Sequence, residues 1–283
     1  ADDGICAGGS VFTRADALAA IANVGVPDED GVAQPLLGGA SQIIDLADGF
    51  LASGSVVQLT DDDDPLFTTT AMFEMQNRIN SRFRAGRHEG SHPVTDAHVA
   101  AALREHQHLT DEQRSLVTSW CQSGHRFQAA IGRAGTGKTT TVAACTDAWR
   151  AAGYRVLGAA VKGEAARTLA AATGIECETI AWNLAHTDPE QPPLDARTVL
   201  VVDEASTLHD QALDTLMDMA SRTGATIRLV GDPAQHGAIA AGGMFRVLCE
   251  RHPQITPELT TSHRLQPSTT SPPPGTSTSS TTT

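Results

Sequence analysis

The sequence is short of positive charge. Lysine and arginine number 20 against 33 aspartates and glutamates, for a net charge of −13 and a pI near 5.2. That balance excludes a generally basic protein that coats nucleic acid, and leaves room only for a local basic groove on an acidic body. Paired cysteines are missing too. The five present (Cys6, Cys121, Cys145, Cys177 and Cys249) are scattered, and no two have C-x-x-C spacing. Neither a zinc site nor a disulfide framework is indicated, and reduced thiols in a cytoplasmic protein are the expectation. No apolar run is long enough to span a bilayer, and no segment reads as a secretory leader. The chain opens on Ala1 and is read as a fragment or a processed chain.

What is present is a core. Hydrophobic residues make up 40% of the 283 residues, enough for one large or two modest domains. The organising stretch is Gly132-Arg133-Ala134-Gly135-Thr136-Gly137-Lys138-Thr139, which fits the phosphate-binding pattern G-x-x-x-x-G-K-[ST]. It lies between a predicted buried strand, 126–131, and a predicted helix, 139–152, stopped by Gly153. Glycines there let backbone N–H groups curl around a phosphate, and the helix N-terminus adds partial positive charge. Lys138 then reaches the β and γ phosphates of ATP, and the hydroxyl of Thr139 holds Mg²⁺.

Downstream, strands are expected at 154–161, 198–202 and 225–230. Helices are expected from about 163 to Gly174, at 178–186, 210–222 and 242–251. Alternation of this kind gives an α/β fold, a RecA-like P-loop domain with a parallel sheet whose ligands sit at the C-terminal strand ends. The apolar run Thr198–Val202 delivers Asp203 and Glu204 at such an end. Two carboxylates there suit a nucleoside triphosphatase, one to order Mg²⁺ and one to polarise the attacking water. Gln235, at the next strand end, is placed to sense the γ phosphate, although with Pro233 beside it a turn residue is the plainer reading.

Residues 1–108 read as a small, mainly helical accessory domain. Helices are expected at 14–23, at 41–51 with Ser41 as N-cap, at 69–83 with Met72, Phe73, Met75 and Ile79 on or near the apolar side, and at 95–105 with Thr95 as cap. A strand is expected at 55–60. The run Asp61–Asp64 reads as a solvated turn. His88, His92, His98, His106 and His108 crowd one stretch, but lack a supporting acid or cysteine and read as surface residues rather than a metal site. Thr110 is a natural N-cap for the helix that follows, on which Gln113 taken alone is an ordinary surface residue. The ATPase domain then runs over 109–266. Residues 267–283 contain only Pro, Ser, Thr and Gly and are expected to be disordered.

The segments LTDEQ, GRAGTGKTTT, AAVKGEAARTL, ETIAWNLAH, VVDEAS, LVGDPAQHGAI and LTTSHR occur in that order. The combination resembles the first motor domain of superfamily-1 DNA helicases, the RecD-like branch, and the helicase part of conjugative relaxase–helicases of the TrwC/TraA kind. The resemblance implies that Gln113 reads the adenine edge. It gives Lys138, Thr139 and Thr140 to ATP, Asp203 to Mg²⁺ and Glu204 to general-base work. Gln235 would couple the γ phosphate to DNA, and Arg264 would complete the ATP site. Lys162, Arg167, Thr179 and Trp182 match positions that grip single-stranded DNA. Lys162 and Arg167 suit phosphate contacts, while Trp182 fits base stacking and a helix core anchor equally.

The function expected is a 5′-to-3′ helicase motor that hydrolyses Mg-ATP and translocates on single-stranded DNA when complete, working with conjugation machinery. The resemblance also implies a second motor domain and an upstream relaxase domain that this sequence lacks. Its single tyrosine, Tyr154, reads as a strand residue rather than a nicking one. A truncated ATP-binding module without helicase activity is the alternative. Another P-loop NTPase, a kinase or GTPase, fits the loop but not LVGDPAQ, and no N-K-x-D guanine motif is present.

Overall fold

The computed structural model describes residues 5–6, 9–27, 33–35, 39–185, 194–235 and 243–261. The N-terminal part contains α1 (Arg14–Ala22), β1 (Gly25–Pro27), β2 (Ala33–Pro35), α2 (Ala40–Leu51), β3 (Val56–Gln58), β4 (Phe67–Thr69), α3 (Thr70–Ala85) and α4 (Asp96–Glu105). The remainder runs α5 (Asp111–Gln122), β5 (Phe127–Gly132), α6 (Lys138–Ala151), β6 (Arg155–Ala160), α7 (Gly163–Thr173), β7 (Glu176–Thr179) and α8 (Ile180–Ala185). It continues with β8 (Thr198–Asp203), α9 (Asp210–Thr223), β9 (Thr226–Gly231), α10 (Met244–Arg251) and β10 (Glu258–Leu259).

Six strands form one sheet in the order β10-β5-β9-β8-β6-β7, and every neighbouring pair is parallel. This is the RecA-like α/β arrangement expected from the alternation of strands and helices. The reason is legible in β8, where side chains alternate between two covered faces. Leu200 and Val202 join a core that includes Ile227 and Leu229 of β9 with residues of α9 and α10. Val199 and Val201 join the opposite core, with Leu116 and Trp120 of α5 and Val142 and Trp149 of α6.

Two of the accessory helices, α3 and α4, are built into these cores. Met75, Ile79 and Phe83 of α3 bury against the face that holds β8 and α9, and Val99 and Ala102 of α4 against the other. Arg78 and Arg82 of α3 pair with Asp214, and Arg82 also with Asp218, on α9. Among the described residues a smaller third cluster forms around Phe12, Ala17 and Phe67, and Met72 packs against both it and the core that holds α3 and β8.

Several sequence expectations need correction. The segment from Glu178 is not helical at its start. β7 pairs with β6 at the sheet edge, and the helix begins only at Ile180. A four-residue strand carrying Glu176 and Glu178 has no apolar run to announce it. β10 was likewise unforeseen, because two residues carry no pattern. Helix α2 is capped by Gly39 in extended conformation, not by Ser41, which lies inside the first turn. Phe73 is exposed rather than part of the α3 core face. The bend at Asp61–Asp64 is exposed as expected.

All five cysteines are free thiols. Among the described residues no group of three or more metal-ligating side chains converges. His92 is not a surface residue. It is buried, its Nε2 lies 2.7 Å from the carbonyl of Ala196, and its ring stands against Tyr154. Among the described residues no helix is long and apolar enough to cross a membrane. The tail 267–283 lies outside the described residues.

Candidate nucleotide and nucleic-acid site

The candidate residues lie along the C-terminal edge of the parallel sheet, because every strand delivers its last residue to the same side. β5 ends at Gly132, the loop 133–137 turns back, and α6 opens at Lys138. Gly135 and Gly137 adopt left-handed backbone, with φ of 83° and 78°. A Cβ on Gly132 would come within 2.5 Å of the Lys138 side chain, and one on Gly137 within 2.2 Å of Gln113 Nε2. Close approach thus favours glycine at 132, backbone conformation favours it at 135, and both do at 137. Thr136 is buried and donates its hydroxyl to the carbonyl of Arg133, while Arg133 and Ala134 are exposed at the loop tip. Lys138 Nζ donates to the carbonyl of Gly132 at 2.8 Å, a bond that a phosphate oxygen would have to replace.

A cavity of about 590 Å³ opens over this loop, lined by His108, Gln113, Arg133, Gly135, Gly137, Lys138, Thr139 and Thr140. Its size and its blend of backbone, ammonium and hydroxyl groups fit a nucleoside triphosphate.

Gln113 is not an ordinary surface residue. It is buried, and its amide carbonyl accepts from the N–H of Thr110 at 2.9 Å, closing a capping box at the start of α5. Its Nε2 donates to the carbonyl of Thr136 at 2.9 Å. One side chain thus ties the first turn of α5 to the phosphate loop.

Two strands along the sheet from β5, β8 ends at Asp203. Burial pushes this carboxyl up, while the N–H of Glu204, at 2.8 Å, and the charge of Lys138 pull it down. Glu204 itself has left-handed backbone, φ 53°, rare for a residue with a side chain and characteristic of functional turns. A short 3₁₀ turn, Ala205–Thr207, follows, and the hydroxyl of Thr207 donates to the Glu204 carbonyl. The end of β9 packs closely here: a Cβ on Gly231 would lie 2.9 Å from the Ser206 nitrogen. That approach sets the turn carrying Asp232 and Gln235 next to the one carrying Asp203 and Glu204. Asp232 is buried and accepts from the N–H of Ala234, and Gln235 is exposed. Arg264 lies outside the described residues.

The candidate DNA residues gather at the far end of the same edge. Lys162 caps α7 after β6, Arg167 is one turn on, and Thr179 ends β7. A Cβ on Gly163 would sit 3.8 Å from Arg167 Nη1 and 3.9 Å from Thr179 Cγ2, so both side chains border the glycine. Thr179 accepts the N–H of Trp182 at 3.1 Å through its hydroxyl. Trp182 is 42% exposed, which rules out the core-anchor reading.

Two site residues were not singled out for this site from the sequence. His108 lines the cavity, and nothing in a lone histidine before a helix cap announces that. Glu112 is a first-turn acid of α5, and its carboxylate holds residues beyond β10. Only the fold brings those segments together.

A family model described as an AAA domain matches residues 108–271. A probable conjugal transfer protein TraA of Sinorhizobium fredii is 36% identical over 186 residues, covering 65% of this chain and 17% of that protein. The ATP-dependent RecD2 DNA helicase of Deinococcus radiodurans is 31% identical over 218 residues, covering 70% of this chain and 30% of that protein. The crystal structure of Pif1 helicase from Candida albicans aligns with a TM-score of 0.42 and 20% identity, over 55% of this chain and 40% of that one. The chain spans 17% to 30% of the length of these two sequence relatives.

Proposed function

The chain belongs to the AAA domain family, as the superfamily-1 helicase motor domain of a TraA-like protein, and from that premise we propose that it binds and hydrolyses Mg-ATP to drive movement along single-stranded DNA. The observation that carries this reading is the single sheet edge. It holds a glycine-lined phosphate cradle with Lys138 at one strand end, and Asp203 within electrostatic reach of Lys138 at another.

The donor set fits the metal. Thr139 offers a hydroxyl beside the cradle, and Asp203 offers a carboxylate that burial strips of water. Mg²⁺, when bound, offsets negative charge on the phosphates. The chain's own residues do the rest. Lys138 exchanges its bond to the Gly132 carbonyl for phosphate oxygens, and the backbone N–H groups of Gly135–Thr139 orient them. Glu204 takes the proton of the attacking water, its strained turn fixing it after the strand end. Gln235 senses the γ phosphate, and Arg264 completes the site from the chain that follows β10. Gln113 holds the loop in register and offers its remaining amide capacity to the adenine edge.

Lys162, Arg167, Thr179 and Trp182 form the DNA-facing cluster, with charge for phosphates and an exposed indole for a base. The 5′-to-3′ direction, a partner second motor domain, conjugation machinery and a cytoplasmic location belong to the proposal and rest on the motif resemblance to superfamily-1 helicases alone.

The test is ATP turnover with and without single-stranded DNA, alongside Lys138→Ala. Turnover that rises with DNA and vanishes in the variant is expected wherever a second motor domain is supplied. Turnover indifferent to Lys138→Ala would overturn the reading. Tight ATP binding without turnover would assign this chain to nucleotide binding alone.

A further inference from the structure

We propose that His108 forms the base-facing wall of the nucleotide cavity, so that its imidazole stacks against the base while the phosphate loop holds the other end. The inference rests on the nucleotide reading above and adds a residue to it.

His108 lines the cavity together with the phosphate loop, and its side chain is exposed. Its position is not left to chance. The residue two before it, His106, meets Asp147 of α6 through Nε2 at 2.7 Å. The residue after it, Leu109, is buried in the core beside α5. Arg114 donates to the carbonyls of Gln107 and Leu109, each at 3.2 Å. The loop is therefore pinned on both sides of His108, to α6 and to α5. Among the described residues the His108 ring makes no hydrogen bond; its ring neighbour is His106, 5.8 Å away between centroids. With the backbone pinned on both sides, stacking in the cavity would cost only the rotation of the His108 side chain.

Gln113 leaves room for this role. Its carbonyl caps Thr110 and one amide hydrogen is taken by Thr136. It can discriminate the base edge with what remains, but it supplies no flat surface. Stacking is tolerant of base identity, because every base has a π face. His108 therefore contributes affinity for the base, and Gln113 its selectivity.

The experiment compares binding of ATP, GTP and inorganic tripolyphosphate, each with Mg²⁺, by calorimetry on the full chain. His108→Ala should weaken ATP and GTP by about tenfold, the range expected for loss of one stacking contact, and leave tripolyphosphate unchanged. His108→Phe, which keeps a flat ring, should restore ATP to near the parent value. Lys138→Ala is the control for the nucleotide reading and should weaken all three ligands. Equal ATP affinity in His108→Ala and the parent overturns the inference while leaving the nucleotide reading intact. An equal loss of ATP and tripolyphosphate overturns it as well, because His108 would then serve the phosphate cradle. A parent chain that binds none of the ligands overturns both.

Discussion

Glu112 and Thr260, 148 residues apart in sequence, are joined by two hydrogen bonds: the Glu112 carboxylate accepts the backbone N–H of Thr260 at 2.9 Å and its hydroxyl at 2.5 Å. The N–H of Thr261 adds a third at 3.1 Å. These bonds hold the Glu112 carboxyl below its usual range. They also fasten the chain leaving β10 to the helix whose next residue, Gln113, reaches into the nucleotide cavity. Glu112→Ala should cost about 1 kcal/mol and loosen β10, so that amide exchange at Leu259 and at Ile131 of β5 speeds up. Unchanged protection of both amides would show that the clamp is dispensable.

Gly137 faces a double constraint. Alanine there would be strained by the left-handed φ of 78° and would meet Gln113 Nε2 at 2.2 Å. Gly137→Ala should therefore abolish detectable ATP binding. Adding Gln113→Ala removes the steric conflict and leaves the conformational penalty of about 1–2 kcal/mol. Partial recovery in the double variant is the expected result, and no recovery would mean that backbone conformation alone decides.

Arg228 is fully buried in β9, and among the described residues no carboxylate pairs with it. Its guanidinium donates to the carbonyls of Trp120 and His125, each at 3.0 Å, and burial pulls its pKa down to about 10. The Trp120 carbonyl lies in the last turn of α5, where a cation also complements the helix dipole. Arg228→Met fills similar space but orphans those carbonyls. It should lower unfolding free energy by roughly 3 kcal/mol in urea titrations. A loss under about 0.5 kcal/mol would indicate that water replaces the guanidinium.

Acid sensitivity should come from histidines held neutral. Burial, followed by the charges of His88, Arg228 and Arg87, pushes His125 down to about 4. Burial also lowers His92 and His252. Their unfolded value is near 6.5, so between pH 6.5 and 4 the unfolded chain binds more protons than the folded one. Stability is therefore full above about pH 6.5 and falls as the pH drops toward 4. His125→Asn should flatten that slope in denaturation midpoints measured from pH 7.5 to 4.5. An identical slope in variant and parent would remove His125 from the account.

The phosphate loop, the strand that feeds it and the acidic pair after β8 were all legible in the chain, because their signals are local: consecutive residues make the loop, and the β-branched-rich run Thr198–Val202, too short for a helix, reads as a buried strand. β7 and β10 were not legible. Both are short, and they exist because a neighbouring strand offers hydrogen bonds at a sheet edge. Trp182 was ambiguous for a related reason, since an indole serves a core and a surface equally until burial is known.

From the sequence alone came the class of fold and the phosphate-loop pattern on which the nucleotide proposal rests, since glycine spacing, a lysine and a helix start are sufficient to specify a candidate anion site. Tertiary structure decided what holds that site in place. Gln113 became a tie to Thr136, His108 a wall of the cavity, Glu112 a clamp on the chain beyond β10, and α3 part of the motor core through Arg82 and Asp214. Each of these joins segments far apart in sequence, and such contacts exist only once the parallel sheet has brought them within a few ångströms.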